Sequence, residues 1–345
     1  MPRSILLGAA LGALSLSACA TTVEGDPAAT VTARAETVRV AGSGDAADDP
    51  AIWVAPDPQD TLIIGTDKTA GLYVFGLDGA VRQFLPVGRL NNVDLREGFP
   101  TSQGERVLLA ATDRTNIALA LFTLDPASGE VTPAANGVLP LDVGDPYGAC
   151  LHRTAEGAFE ALVTGNDGEF RHLRIREGAA GMEIEVLRSF WIGSISEGCV
   201  FDDRTGDLFV AEEEVGIWRY DADPATGEAR TLLHSIDDAA LVADVEGLSV
   251  YPEGEDGGWL VASSQGDSAY TLFALPEGRY VGRVRVMDGD AVDGTTETDG
   301  LDVTPRPVAG YPDGLLVVQD DADDAGGQNF KLIDWRDVVE ALELE

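Results

Sequence analysis

Asp244-Val245-Glu246-Gly247-Leu248 places a carboxylate and a glycine directly ahead of alternating apolar residues. The same short phrase recurs as Asp48-Asp49-Pro50-Ala51-Ile52, Asn91-Asn92-Val93-Asp94-Leu95, Pro146-Tyr147-Gly148-Ala149-Cys150, Ser196-Glu197-Gly198-Cys199-Val200 and Thr298-Asp299-Gly300-Leu301. Aligned on Asp49, Asn92, Tyr147, Glu197, Glu246 and Asp299, the intervals are 43, 55, 50, 49 and 53 residues. Six copies of one unit, each with short apolar strands and Gly-, Asp- and Asn-rich turns, predict an all-β fold, a six-bladed β-propeller. A propeller must close, so the strand Thr37-Val38-Arg39-Val40 is expected to complete the sheet of the C-terminal unit instead of leaving two edges free. Helix is expected only as a turn or two within residues 336–344.

The chain has 345 residues, 44% of them hydrophobic, with 40 glycines, enough for one closed domain over residues 37–345. Its 60 acidic side chains outnumber 23 basic ones, for a formal charge of -37. That balance excludes nucleic acid as a partner, because a phosphate backbone needs a basic surface. A monomer acting on a small molecule is expected.

Residues 1–18 read as an export signal, with Arg3 ahead of an apolar run from Ile5 to Leu16. The run is too short and too rich in Ala and Gly for a membrane span. It ends in Leu16-Ser17-Ala18-Cys19, which resembles the bacterial lipoprotein processing box. That resemblance implies cleavage before Cys19, lipid on its thiol and anchorage at a membrane, expected to be the outer membrane. Residues 19–36, rich in Thr, Ala and Pro, read as a lipidated flexible tether. Export permits a disulfide. Cys150 and Cys199 nevertheless lie in apolar strand sequence, where a free Cys is an ordinary core residue, so two unpaired thiols are expected.

Each repeat offers polar residues at two places, at the start of the inner strand and just after the strand that follows. The first unit supplies Asp48, Asp49 and Lys68, the second Asn92 and Arg114, and the third Tyr147. The fourth supplies Glu197 and Glu213, the fifth Asp244, Glu246 and Gln265, and the sixth Asp293 and Asp299. Carboxylates converging at one mouth repel one another unless a cation neutralises them. His152, His172 and His234 are scattered and have no companion at ligand spacing, so structural roles are expected for them. An all-oxygen donor set favours calcium over zinc. Lys68 and Arg114 beside such a site suit an oxyanion, above all phosphate. No Ser or Cys is set up as a nucleophile, which leaves attack by a metal-activated water as the simplest chemistry.

These phrases resemble the β-propeller phytases over about residues 37–335. The resemblance is carried by Asp48-Asp49-Pro50-Ala51-Ile52-Trp53, by Gly88-Arg89-Leu90-Asn91-Asn92-Val93-Asp94-Leu95-Arg96, and by Val163-Thr164-Gly165 with Gly168-Glu169-Phe170. Ala211-Glu212-Glu213, Asp244-Val245-Glu246-Gly247-Leu248, Ala262-Ser263-Ser264-Gln265-Gly266, Thr298-Asp299-Gly300 and Gln328-Asn329-Phe330-Lys331 add to it in the same order. The resemblance implies a calcium-dependent phosphomonoester hydrolase of the 3-phytase type, acting on phytate or its calcium salt with several structural and catalytic calciums. It assigns Tyr147, Glu197, Glu213, Glu246 and Asp299 to catalysis, with Asp49 in the same calcium environment. Lys68 and Arg114 are implied as phosphate binders, with Asp244 and Gln265 at neighbouring metal or phosphate positions. Asp293 and Asn329 fall at positions tied to structural calcium, and Asp48 is expected among the metal ligands.

Two departures stand out. Thr69 and Asn166 occupy positions where the family pattern often carries lysine. Losing two charges beside a polyanion is expected to weaken substrate binding more than water activation. Two other readings of the same residues remain. A lactonase-like propeller hydrolase would not need Lys68 and Arg114 beside the carboxylates, and a non-enzymatic binding propeller would present an apolar face.

Overall fold

The computed structural model describes residues 25–322 and 326–344; the signal segment and Cys19 lie outside them. Two short strands come first, β1 (Ala29–Thr32) and β2 (Ala35–Glu36). Blade one holds β3 (Ala47–Trp53), β4 (Leu62–Asp67), β5 (Gly71–Gly76) and β6 (Val81–Leu85). Blade two holds β7 (Leu90–Thr101), β8 (Gly104–Asp113), β9 (Ala118–Leu124) and β10 (Val131–Pro140), and blade three β11 (Pro146–Arg153), β12 (Phe159–Gly165), β13 (Glu169–Gly178) and β14 (Gly181–Trp191). Blade four runs through β15 (Cys199–Asp202), β16 (Asp207–Glu212), β17 (Gly216–Asp221) and β18 (Arg230–Ser235). Blade five comprises β19 (Val245–Glu253), β20 (Gly257–Ser264), β21 (Ala269–Leu275) and β22 (Arg279–Met287), and blade six β23 (Leu301–Thr304), β24 (Leu315–Asp320) and β25 (Asn329–Asp334). A single helix, α1 (Trp335–Ala341), follows.

Within each blade successive strands pair antiparallel, and the first strands of successive blades neighbour one another around a closed ring. The six-bladed propeller read from the repeat is the fold. Its core is split into six wedges, one between each pair of adjacent blades. Trp53, Ile64 and Val74 meet Leu109 and Phe122 in the first wedge, and Phe75 meets Leu315 and Phe330 where blade six returns to blade one. A sheet covered on both faces needs apolar side chains on both, so the second strands β4 and β24 are buried throughout. The outermost β6 faces water on one side, with Val81, Arg82 and Phe84 exposed and only Leu85 buried.

Closure uses the N-terminal segment, starting two residues earlier than the sequence suggests. Ala35 and Glu36 pair with Leu332 and Lys331, and the bonding continues through Thr37 N to Phe330 O (2.9 Å) and Val40 N to Gln328 O (3.1 Å). The tether expected to reach residue 36 is therefore shorter. β1 pairs in parallel with β22 as a fifth strand of blade five, and the fully buried Arg283 reaches the Asp26 carbonyl at 2.8 Å. A second correction concerns the cysteines. Cys150 and Cys199 form a disulfide between the inner strands of blades three and four. Propeller repeats bring adjacent inner strands side by side, which a reading of each strand alone does not register.

Candidate active site

In four blades the pairing of the first two strands slips by one residue at the recurring phrase. Ala47 pairs with Asp67 but Pro50 with Gly65, and Leu90 with Asp113 but Val93 with Ala111. Pro146 and Ala149 face Gly165 and Val163, and Val245 and Leu248 face Ser264 and Ala262. Each slip is a β-bulge, which fits two residues into the space of one and re-aims a side chain. The first bulged residue faces the mouth of the channel: Asp48, Asn91, Tyr147 or Glu246. The second sits on the seam to the next blade, where room is short. A β-carbon on Gly148 would come within 1.9 Å of the Glu197 carbonyl, and one on Gly198 within 2.0 Å of the Glu246 carbonyl.

This geometry corrects the alignment in the first two repeats. The counterparts of Tyr147, Glu197 and Glu246 are Asp48 and Asn91, one residue before Asp49 and Asn92. A second repeated bond fixes the register. The backbone N–H groups of Lys68, Arg114, Asn166, Glu213 and Gln265 donate to the carbonyls of Ala46, Arg89, Asp145, Ile195 and Asp244. Each acceptor lies two residues before the mouth-facing residue of its own blade. The two polar places expected in each repeat are therefore joined by one hydrogen bond, and five blades deliver a pair of side chains each.

Lys68 is the hub on the first side of the mouth. Its Nζ lies 2.8 Å from Asp45 Oδ1, 2.9 Å from Asp299 Oδ2 and 3.0 Å from Asp48 Oδ1. The Asp48 contact is a charge contact whose angles fall short of a hydrogen bond. Gln265 Nε2 donates to Asp299 Oδ1 at 2.5 Å. Across the mouth, Asn91 Nδ2 donates to Glu197 Oε1 at 2.7 Å. Arg114 bonds Asp145 Oδ2 at 2.6 Å, reaches Asn91 Oδ1 at 3.3 Å and lies 5.6 Å from the Tyr147 ring centre. Between the two sides, Glu197, Glu213 and Glu246 bring carboxylate oxygens within 4.8 Å of one another. Glu213 Oε1 and Glu246 Oε2 are buried with no hydrogen-bond partner.

The electrostatics follow from burial. Glu197 and Glu246 are pushed well above the ordinary carboxylate range, first by loss of water and then by neighbouring carboxylates. Glu213 is raised to about 7 by burial, then by Asp244 and Asp299. Asp299 is also raised to about 7, mainly by burial, with Lys68 pulling the other way. Burial works against charge on Lys68, but Asp48, Asp299, Glu197 and Asp45 outweigh it and hold the ammonium protonated. The Tyr147 phenol is likewise held protonated, by burial first and by Glu197 next. The pocket has more acid than its own lysine can balance.

Some expected site residues fall elsewhere. Asp49 turns from the mouth into a 410 Å3 cavity along the channel, where its Oδ2 accepts from Val93 N at 3.0 Å. Asp293 pairs with Lys331, as do Glu36 (2.5 Å) and Asp320 (3.3 Å), and Asn329 Nδ2 donates to Glu36 at 3.0 Å. These residues form a second group, on blade six, around an internal ammonium. Asp244 sits beside the cluster, half-buried, and reaches it through charge on Glu213. Sequence reasoning missed Asp45, Asn91 and Asp145. Asn91 was legible in the doubled polar phrase, and Asp145 in its place two residues before Tyr147. Asp45 carried no signal. The histidines are structural, with His152 Nδ1 2.8 Å from Asp203 and His172 buried against Glu160.

A closed propeller with crowded, buried carboxylates and two basic groups at one mouth is an acid-mouthed propeller whose pocket calls for a cation. A sequence model of the phytase family matches residues 3–345. A 3-phytase of Bacillus subtilis (strain 168) is 37% identical over 361 residues, spanning 99% of this chain and 94% of that protein. The chain belongs to the phytase family. Among solved structures it is similar in fold to a calcium-binding regucalcin of Agrobacterium tumefaciens strain C58, with TM-score 0.55, 15% identity, 89% of this chain and 97% of that one covered. It is also similar in fold to a luciferin-regenerating enzyme, with TM-score 0.52, 12% identity and coverage of 86% and 94%.

Proposed function

We propose that this phytase is a calcium-dependent phosphomonoester hydrolase that releases phosphate from phytate at the mouth of its channel. The observation that carries the reading is the meeting of Glu197, Glu213 and Glu246, two of them with orphaned buried oxygens, next to Lys68. An all-oxygen set of this kind fits a hard divalent ion such as calcium. Glu197, Glu213 and Glu246 would hold it, with Asp48 and Asp299 alongside. Bound there, calcium would neutralise the carboxylates, polarise phosphoryl oxygen and make nearby water more acidic.

The chain's own residues supply orientation and charge. Lys68 and Arg114, from the adjacent blades one and two, both lie near Glu197 and offer cationic donors to a phosphate at the mouth. Gln265 fixes Asp299 by its hydrogen bond to Oδ1, leaving Oδ2 for Lys68. Tyr147 keeps its proton, held by burial and by the charge of Glu197. The test is phosphate release from phytate as calcium is titrated into chelated protein, with sugar lactones as a parallel substrate. Hydrolysis that appears with calcium and vanishes with chelator supports the reading. Hydrolysis unchanged by thorough chelation, or turnover of lactone in preference to phytate, overturns it.

Export and lipid attachment at Cys19 are proposed on the sequence signal at residues 1–19. A disulfide in the domain suits an oxidising compartment. Among the described residues no helix is long and apolar enough to cross a membrane. A Cys19→Ser variant should appear in the soluble fraction, whereas the wild type partitions with membranes. Equal partitioning of the two would remove the proposal.

A further inference from the structure

The inner strands are clasped to one another at one repeated position. Asp302 of blade six accepts from Ile52 N of blade one at 2.8 Å, and Asp94 of blade two from Leu151 N of blade three at 2.7 Å. Ser249 of blade five accepts from Val303 N of blade six at 3.2 Å. Counted from the bulges, Asp94, Ser249 and Asp302 are equivalent, and so are the acceptors' partners Ile52, Leu151 and Val303. An N–H on the channel side of an inner strand has no further strand to pair with, so a side-chain oxygen satisfies it, from the preceding blade alone at Ile52 and Leu151 and shared with Asp302 Oδ1 (2.8 Å) at Val303.

In blade three that position is Cys150. Its side chain does not accept from the next blade; it is bonded to Cys199 of blade four, with the α-carbons 5.7 Å apart. Cys150 follows Tyr147 by three residues, and Cys199 follows Glu197 by two. At the same junction Thr164 Oγ1 donates to the Ser196 carbonyl at 2.6 Å, and Gly148 lies against the Glu197 backbone. Glu197 is the member of the three-glutamate cluster nearest this junction in the chain. Before a cation arrives it is repelled by Asp48 and Asp299.

We infer that the Cys150–Cys199 disulfide is the covalent form of the inter-blade clasp, and that it is a positioning element holding Tyr147 and Glu197 in register for cation and phosphate capture. This rests on the reading of the mouth as a calcium site. Its effect is preorganisation: the bond limits how far blade four can yield to carboxylate repulsion, so less binding free energy goes into re-forming the site.

The test compares the full chain with C150A/C199A and C150S/C199A. Two readouts are used, the calcium concentration giving half of the calcium-induced rise in Tm, measured without substrate, and KM and kcat for phytate. Loss of the bond should raise the calcium midpoint by about threefold or more, with KM rising more than kcat falls. C150S/C199A should recover part of the shift, because a serine there can accept from Phe201 N as Ser249 accepts from Val303 N. A lower Tm of equal size with and without calcium, at an unchanged calcium midpoint, would show a plain staple and overturn the inference. Equal behaviour of the serine and alanine variants would overturn the clasp equivalence. A wild-type protein whose Tm ignores calcium would instead defeat the reading of the mouth itself. Should the alanine pair not fold, the serine pair against wild type decides.

Discussion

Lys68 Nζ and Asp299 Oδ2 lie 2.9 Å apart across the seam where blade six closes on blade one. The contact joins the mouth of blade one to that of blade six, so the ammonium proposed to bind phosphate is held in place by the closure of the ring. Lys68 also touches Asp45 and Asp48.

Replacing Lys68 with methionine removes the donor but keeps most of the stem. The expected result is a fall of about a hundredfold in kcat/KM for phytate, in line with loss of a charged group facing developing charge. Steady-state kinetics at saturating calcium would check it; a change of less than about twofold would place Lys68 outside the phosphate site.

Glu246→Gln separates metal capture from folding. The buried carboxylate is crowded by Glu197 and Glu213, so neutralising it should stabilise chelated protein by about 1 kcal/mol. The same change should abolish most of the calcium-induced rise in Tm, which measures binding to the folded state alone. Thermal melts in chelator and in calcium give both numbers from one sample.

The raised carboxylates set a pH dependence whose sign is definite. Glu213 and Asp299 titrate near 7 in the folded chain, above their ordinary values of 4.5 and 3.8. Between those limits the unfolded chain has released protons that the folded chain keeps, so unfolding becomes more favourable as pH rises. Chelated protein should therefore lose stability as pH rises from about 4 to 7. With calcium bound the carboxylates stay ionised, and that loss should be absent. Melts across this range with and without chelator test the pair of trends.

Asn166→Lys restores a positive charge at an exposed turn whose backbone N–H is tied to Asp145, the partner of Arg114. KM for phytate should fall by about two- to fivefold with kcat little changed, as expected of a gain in uniform binding. Thr69 is a poorer place for the same repair, because its N–H and hydroxyl both bond Asp67 Oδ1 and shape the turn. No change in hydrolysis at low substrate for Asn166→Lys would count against the charge-deficit account.

The architecture was legible because six phrases at near-constant spacing survive any misreading of single strands. The site was legible where glycine sits beside the functional residue. In Tyr147-Gly148 and Glu246-Gly247 only one of the two bulged residues has a side chain to offer, and Glu197 is likewise followed by Gly198. In Asp48-Asp49 and Asn91-Asn92 both are polar, and a bulge breaks the alternation by which a strand's faces are told apart. The alignment therefore slipped by one residue there. The disulfide escaped notice for a related reason: its two cysteines look like core residues within their own strands, and only the packing of neighbouring blades makes them adjacent.

The pairing of β2 with β25 links Glu36 to Lys331 across 295 positions of chain. A strand made early thus waits for the last strand of the ring. Throughout synthesis the growing chain carries five or fewer complete blades and an unmatched edge, and cooperative closure waits on the C-terminal strand. Truncation by a few residues beyond Gln328 should thus strand both ends at once, turning a domain into an aggregation-prone intermediate.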